Sequence, residues 1–511
     1  MPARMFDLGT TIIAAAEREP NAKAIVDGTL ALTYGEWFER IRCLAGGLEV
    51  VGVKPGDRVA VVLRNNWQMA TLHWACQLAG VTITPLNWRV SADELDYFIT
   101  NAEAHAVFFE AVSEKSVRAA VSVSAMPRIS VDGASGGTLD FADLMKSPPV
   151  PARSKADAED ISLMLYTSGT TGPGKGVPRR HRSERAAAIA HVAQNCYRYG
   201  ESTLGVMPLY HTMGVRSLLA MALVQGCFVC LPQFDTAKAL DLIVRERVTT
   251  LYLVPTLYHD LLASNAFERA DVSSVRKLGF AGAPMTDGLL RRVEAAFRPE
   301  LFVNHYGSSE VYTFTIEQHA AANPGSAGKA GLNQQIRVVP VGTADPDALA
   351  ARGDEGEIIA NLSSDEAFEG YWRRPEANEK ALKNGWYHTG DIGYFDAAGD
   401  LFVTGRVDDM IITGGENVLP VEIESVLSLH PGVAEVAVAG LEDERWGKRI
   451  TAFIKRRGEV RKTDLDAYCQ SSDLANFKRP REYIFVSEIP KSPVGKILRR
   501  KLVEGDFERE Q

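Results

Sequence analysis

Apolar residues in the first half of the chain follow two alternating rhythms. Arg58-Val-Ala-Val-Val-Leu63 is a continuous apolar run of strand length, Met69 to Gly80 repeats its apolar positions at helical spacing, and Val81-Thr-Ile-Thr-Pro85 returns to strand character. Together they predict a βαβ unit. The strand pattern recurs at Thr249-Thr-Leu-Tyr-Leu-Val-Pro255, Lys277-Leu-Gly-Phe-Ala-Gly282 and Leu301-Phe-Val-Asn-His-Tyr306, each run ending in or leading into a turn that carries glycine or proline. Sheets of this kind bind ligands at the carboxyl ends of their strands, so these turns are where a site is expected. From Arg128 to Asp157 the sequence turns rich in Gly, Ser, Pro and Ala, which predicts a surface excursion. A stronger break falls at Gly405-Arg-Val-Asp-Asp409, followed by a short α+β pattern of a length suited to a small domain.

A chain of 511 residues exceeds what one hydrophobic core organises, so one large and one small unit are expected. Composition then narrows the function. With 56 basic and 65 acidic residues the net charge is −9, which argues against nucleic acid or an anionic membrane as the main partner. Any anionic ligand must be held by local groups. Six cysteines are scattered, and the single C-x-x-C, Cys227 and Cys230, lies in the apolar run Gly226-Cys-Phe-Val-Cys-Leu231, which reads as a buried strand with two reduced thiols rather than a metal or redox pair. The start, Met1-Pro-Ala-Arg-Met-Phe6, lacks the layout of a signal peptide, and no apolar run reaches 18 residues. A soluble, cytoplasmic protein is expected.

The residues that carry chemistry begin at Ile161, where a strand runs into Tyr166-Thr-Ser-Gly-Thr-Thr-Gly-Pro-Gly-Lys175. Glycines let backbone N–H groups approach phosphate oxygens, hydroxyls add donors and Lys175 adds a cation, so the loop suits polyphosphate. Gly169 to Lys175 also spells the first part of a P-loop, but Gly176 follows where a P-loop needs a hydroxyl for magnesium, and that reading is rejected.

Tyr166-Thr-Ser-Gly-Thr-Thr-Gly172 resembles the phosphate loop of the adenylate-forming family, which includes acyl-CoA synthetases, amino-acid adenylation domains and beetle luciferases. Four more segments agree in the family's order: Tyr306-Gly-Ser-Ser-Glu310, Trp386-Tyr-His-Thr-Gly-Asp391, Gly405-Arg-Val-Asp-Asp-Met-Ile-Ile-Thr-Gly-Gly-Glu-Asn417 and Pro490-Lys-Ser-Pro-Val-Gly-Lys-Ile-Leu-Arg499. The resemblance covers essentially the whole chain. It implies an α/β fold: a large N-terminal domain (1–405) of α/β subdomains with a distorted β-barrel, a hinge (406–409) and a small mobile α+β C-terminal domain (410–511). It further implies an AMP-forming ligase that takes a carboxylic acid, ATP and coenzyme A with Mg²⁺, free to form a homodimer.

The same resemblance assigns residues. ATP is expected at Thr167, Ser168, Gly169, Thr170, Thr171, Gly172 and Lys175, at Gly282, Ala283 and Pro284, at Asn304, His305, Tyr306, Gly307, Ser308 and Ser309, and at Asp391 and Arg406. Tyr306 would stack on adenine and Asp391 would accept both ribose hydroxyls, a task suited to a bidentate anion. Glu310, a hard oxygen ligand, would hold Mg²⁺ with Thr170 nearby. Lys496 would bridge the attacking carboxylate and the α-phosphate, offsetting the approach of two anions. Asp408 matches the hinge position. Rotation there would exchange Lys496 for Gly414, Gly415 and Glu416 and admit a pantetheine arm, while Trp446, Phe477, Arg479 and Arg481 would hold the CoA nucleotide.

For the acid itself, Met207-Pro-Leu-Tyr-His-Thr-Met-Gly214 stands where amino-acid adenylation domains place an aspartate for the substrate ammonium. That anion is missing here, which disfavours α-amino acids. His211, Thr212 and Met213 are expected to edge the acyl pocket with Ala281, Gly282, Tyr306, Val311, Tyr312 and Phe314, and Arg216 to attract a second polar group or to pair with a carboxylate. Ser364 to Tyr371 and Glu442 to Gly447 look more like halobenzoate-CoA ligases than fatty-acyl enzymes, which favours an aromatic or compact acid. The competing readings are a fatty or medium-chain acyl-CoA synthetase, an enzyme loading a carrier protein, and a non-catalytic nucleotide sensor. Two departures from the family pattern stand out, Gly174 for a proline and Ser309 for a threonine.

Overall fold

In the computed structural model, which describes residues 5–167, 174–407, 409–414, 416–472, 474–491 and 497–510, the βαβ rhythm becomes parallel sheet. Strand Arg58–Val62 pairs in parallel with Thr82–Pro85 and with Ala104–Phe109. The helix that joins the first two, Trp67–Ala79, starts where the Asn66 side chain accepts from the Met69 amide and stops at Gly80 in the left-handed region. It is buried from Met69 onward, which is why its apolar positions wrap round the helix instead of forming one stripe. Ile161–Thr167 adds to this sheet in parallel, and Lys175–Arg180 pairs antiparallel with it, Thr167 opposite Lys175.

The stretch from Arg128 is more than the expected surface excursion. Arg128–Ser130 and Leu139–Asp140 extend the edge of the same sheet, and Ile129, Phe141 and Leu144 are buried. Strands of two or three residues are too short to show a period, and the Gly-Ser turn between them dominates the local composition.

A second, 14-stranded sheet carries the rest of the large domain. Its parallel part runs through Leu301–Tyr306, Lys277–Phe280, Thr250–Leu253, Ser202–Gly205, Cys227–Cys230 and Lys23–Asp27. On the other side of Leu301–Tyr306 every pairing is antiparallel, through Thr315–Glu317, Ser326–Ala330, Leu401–Arg406, Trp386–Phe395, Gly356–Asn361 and Ile336–Val339. This antiparallel half stands where a distorted barrel is expected. One core joins the two sheets: Trp37, Trp74, Phe108, Leu165 and Leu218 belong to a single buried cluster, with Trp37 Nε1 donating to the Thr71 hydroxyl at 2.9 Å. The Cys227–Cys230 strand is buried as read, its thiols pushed up by burial, Cys227 to about 12, and all six cysteines are free.

After Arg406 the chain builds a smaller C-terminal domain. Its sheet orders Glu416–Val418, Ile411–Thr413, Gly447–Arg456 and Val433–Asp443, with Glu482–Phe485 parallel to Gly447–Arg456, and Pro420–Ser428 and Lys462–Ser471 supply its longer helices. Ile411, Ile423, Leu427, Ile450, Ile454 and Leu465 form a core of its own. No helix among the described residues is long and apolar enough to cross a membrane.

Candidate active site

Parallel register brings the predicted turns to one edge. Leu253 lies opposite Phe280 and Phe280 opposite Asn304, so the turns after these strands, carrying Ala281 to Pro284 and Gly307 to Phe314, leave the sheet side by side. The second turn is pinned from within: Ser308 N donates to Val311 O at 3.1 Å, Val311 N to Ser308 Oγ at 3.2 Å and Phe314 N to Tyr306 O at 2.8 Å. A Cβ on Gly307 would sit 1.9 Å from the Tyr312 carbonyl, so only glycine fits there.

Two polar clusters flank this turn. In the first, the Tyr306 hydroxyl donates to Asp391 Oδ2 at 2.6 Å and Arg406 Nη1 lies 3.4 Å from Asp391 Oδ1. Asp391 and Arg406 face each other across antiparallel strands, so the backbone ladder itself sets this pair. Burial, with the neighbouring Asp391 carboxylate second, pushes the Tyr306 hydroxyl well above the usual tyrosine range. In the second cluster, buried Glu310 accepts the Tyr371 hydroxyl on Oε1 at 2.7 Å, and the Lys175 ammonium sits 4.2 Å from the centre of the Tyr371 ring. Burial holds Lys175 below the usual lysine range, with the Glu310 carboxylate opposing. An aromatic wall joins the clusters: Tyr371 and Tyr387 hydroxyls are 3.5 Å apart, Tyr387 stacks on Phe314 at 6.2 Å, and Phe314 meets Tyr306 at 5.0 Å.

Behind Glu310 lies a buried ion pair that the sequence did not announce. Arg179 Nε and Glu184 Oε1 are 2.8 Å apart with both side chains fully enclosed. Arg179 Nη1 donates to the Glu310 carbonyl at 3.0 Å, and the Tyr312 hydroxyl donates to Glu184 Oε2 at 2.9 Å. The strand that carries Lys175 is thereby tied to the turn that carries Glu310. Tyr371 was also missed as a site residue; it stands in the Ser364 to Tyr371 stretch, which the sequence marked for resemblance alone.

Not every expected residue joins the site. His211 caps the helix Thr212–Leu223, with Thr212, Met213 and Arg216 buried along its first turns. Val311 and Tyr312 are buried, Tyr312 against Arg216 of that helix, and Asn304 Nδ2 donates to Ser326 O at 2.8 Å. The His305 side chain alternates away from Tyr306 into the core, where Nε2 contacts Asn195 Oδ1 at 3.1 Å. Ser168, Gly169, Thr170, Thr171, Gly172, Asp408, Gly415 and Lys496 lie outside the described residues. The chain on either side of 168–173 is held in place: the Tyr97 hydroxyl donates to Gly174 O at 3.0 Å and Trp372 N to Gly176 O at 2.8 Å.

In the small domain, Gly414 takes the left-handed conformation with φ +59°, and its amide donates to the Trp446 carbonyl at 2.8 Å. A Cβ on Gly414 would meet the Trp446 ring at 3.0 Å. Arg481 stacks 4.0 Å from that ring and also lines a concavity of about 280 Å³ with Arg479, Asn476, Pro480, Asp466 and Tyr483. Phe477 is 40% exposed beside it in sequence and Glu416 is exposed. Next to the expected hinge, Arg499 reaches Asp409 at 3.2 Å and Glu424 at 2.8 Å.

Removing one partner of the Arg179–Glu184 pair strands a buried charge. Arg179→Met is therefore expected to lower unfolding free energy by about 3–5 kcal/mol in a denaturant titration, and a loss below about 1 kcal/mol would contradict the assigned role.

Comparison with known proteins agrees with this geometry. The family model described as AMP-binding enzyme matches residues 13–372, and the AMP-binding enzyme C-terminal domain matches residues 422–496. The chain is 34% identical over 500 residues to a 4-chlorobenzoate–CoA ligase of Arthrobacter sp, covering 96% of this chain and 93% of that protein. It is 32% identical over 507 residues to the long-chain-fatty-acid–CoA ligase FadD13 of Mycobacterium tuberculosis, covering 98% of each. The ATP-bound crystal structure of MatB from Rhodopseudomonas palustris superposes with a TM-score of 0.88 at 29% identity, over 98% of this chain and 99% of that one. Two domain models matched in order and this identity over nearly the whole length establish that the chain belongs to the AMP-binding enzyme family.

Proposed function

We propose that this protein is an ATP-dependent, AMP-forming carboxylate–CoA ligase acting on an aromatic or compact organic acid. The observation that carries the reading is the pairing of two clusters on one strand edge, Tyr306–Asp391–Arg406 and Glu310–Tyr371–Lys175. The first suits a nucleoside and the second suits phosphates. Asp391 accepts from Tyr306 and lies beside Arg406, and as a bidentate anionic acceptor it suits the two ribose hydroxyls. Tyr306 offers a ring face to adenine. Lys175 and the hydroxyls of residues 167–171 face the phosphates in this reading, with the turn Gly282 to Pro284 and the Gly307 to Ser309 backbone closing the nucleotide side.

Buried Glu310 is a hard oxygen donor beside the phosphate lysine, which fits Mg²⁺ shared with phosphate oxygens, and Thr170 would stand next to it. The metal, when bound, neutralises phosphate charge. Lys496 holds the acid's carboxylate against the α-phosphate. A carboxylate oxygen then bonds to α-phosphorus as the bond to the bridging oxygen breaks, and pyrophosphate leaves. We place the turning point at 406–409, around Asp408, between domains 1–405 and 410–511. The turn brings Gly414, Gly415 and Glu416 to the adenylate and admits the thiol, whose sulfur bonds to the acyl carbon as the acyl carbon–oxygen bond to AMP breaks, AMP leaving as the phosphate anion and the thiol proton passing to solvent. Trp446, Phe477, Arg479 and Arg481 would bind the CoA nucleotide; the concavity at Arg479 and Arg481 is polar, its two guanidinium groups suited to phosphates, with the Asp466 carboxylate 3.6 Å from Arg479.

The preference for an aromatic acid draws on the identity to a protein named for 4-chlorobenzoate, while the FadD13 relation keeps a fatty acid as the second reading. Six free cysteines fit a cytoplasmic, reducing compartment, and a homodimer is compatible with the activity.

A panel of carboxylic acids with ATP and Mg²⁺ is expected to release pyrophosphate for at least one acid, and CoA to convert the product to a thioester. No pyrophosphate from any acid would refute the reading, and product unchanged by CoA would point to a carrier-protein acceptor. Lys496→Ala is expected to slow adenylate formation about 10²–10³-fold while thioester formation from supplied acyl-AMP persists; equal loss of both steps would remove its role. Tyr371→Phe should raise the Mg²⁺ concentration for half-maximal pyrophosphate release by about tenfold, the worth of one hydrogen bond to a charged group, and an unchanged Mg²⁺ dependence would sink that assignment.

A further inference from the structure

Helix Thr212–Leu223 is buried along nearly its whole length, and inside it Arg216 is only 2% exposed. A guanidinium so placed normally meets a carboxylate. Arg179, on the same Tyr312 ring, does so through Glu184, its guanidinium 4.1 Å from the ring centre and that of Arg216 4.9 Å. Arg216 has no carboxylate oxygen within 4.0 Å among the described residues; Nη1 donates to the Thr313 hydroxyl at 3.1 Å, and Nε finds no acceptor among the described residues. Glu366, the acid whose charge Arg216 feels, accepts from Thr313 N and Asn333 Nδ2 at 3.1 Å each.

A second group beside it has the same unmet need. Asn195 Nδ2 donates to the His191 carbonyl at 2.8 Å, which fixes the amide so that Nδ2 also faces His191 Nδ1 and Oδ1 faces His305 Nε2, each at 3.1 Å. Burial, with the His305 and Arg216 charges acting the same way, pushes the His191 imidazole well below the usual histidine range. With Nδ1 accepting, its proton is on Nε2, and that N–H also lacks an acceptor among the described residues. Two buried donors are thus unmet among the described residues, with His191 near enough to feel the Arg216 charge, while His305, donating from Nε2 to Asn195, leaves its Nδ1 as an unmet acceptor. Arg216 lies about 7.5 Å along the helix from His211, at 1.5 Å per residue, and contacts the Val311–Phe314 segment. Both segments are those assigned to the acyl pocket.

We propose that the acid activated here carries a second oxygen acceptor, remote from its reacting carboxylate, and that Arg216 is the residue that recognises it. The inference rests on the ligase reading above. The shared chemistry is an acceptor oxygen, supplied either by a carboxylate or by a neutral hydroxyl or oxo group.

The test compares kcat/KM for pyrophosphate release across matched acids: one skeleton unsubstituted, one with a remote carboxylate, one with a remote hydroxyl or oxo group. The wild-type protein is expected to prefer one of the two substituted acids by roughly ten- to a hundredfold, and Arg216→Met to collapse that ratio towards one. The preferred arm identifies the oxygen. A Met variant that slows all three acids equally would show a structural role and overturn the proposal, as would a wild-type ratio near one, the outcome expected if a buried water satisfies both donors. If Arg216→Met does not fold, Thr313→Val removes the hydroxyl that aims the guanidinium, and the ratio must still fall. Wild-type protein that releases no pyrophosphate with any acid fails at the ligase reading instead, which separates the two failures.

Discussion

The fully enclosed Arg179–Glu184 pair is the contact on which the arrangement of the site depends. Arg179 stands next to the end of the strand that begins at Lys175, Glu184 in the first turn of the following helix, and through them run bonds to the Glu310 carbonyl and the Tyr312 hydroxyl. The segments that carry Lys175, Glu310 and Tyr312 thus share one charged centre. Such a pair carries a large desolvation cost, so its value here is geometric: with well-made hydrogen bonds it admits few alternative arrangements, whereas apolar packing would tolerate several.

Around that centre the protein interleaves charges of both signs. Lys175, Arg406, Arg179 and Arg216 lie along the strand edge or behind it, each with a carboxylate near it: Glu310, Asp391, Glu184 and Glu366 in turn. Cations concentrated against low-dielectric walls hold anions more strongly than the same groups spread over a surface, which is the need of a site that must bring a carboxylate and a triphosphate together. Tyrosine serves as the intermediary. Tyr306, Tyr312, Tyr371 and Tyr387 offer ring faces to cations or neighbouring rings and hydroxyls to carboxylates or to one another, so each can bridge two charged groups without adding charge.

Much of this was legible in the chain. Leu301–Tyr306 forms a strand over the residues read as one, and Arg58–Val62, Thr250–Leu253 and Lys277–Phe280 differ from their readings by only a few terminal residues, because buried parallel strands leave continuous apolar runs. Tyr306 ends its strand and Glu310 stands in the turn beyond it, as expected. The edge strands at Arg128–Ser130 and Leu139–Asp140 escaped notice because they are held by backbone pairing at lengths where side-chain period carries no signal. His305 was assigned to the nucleotide with its neighbours, although strand alternation sends it to the opposite face.

The sequence by itself determined the chemistry on offer: which residues can hold phosphate, ribose or a divalent cation, and the order in which they come, since motifs of five to thirteen residues are read within one local segment. Tertiary structure alone decided their company. Tyr371 meets Glu310 across 61 residues, Arg179 meets the Glu310 carbonyl across 131, and Arg216 meets the Thr313 hydroxyl across 97. No local period encodes such pairings, because they follow from how two sheets pack on a shared core, and a buried charge declares its partner only once the chain has closed round it.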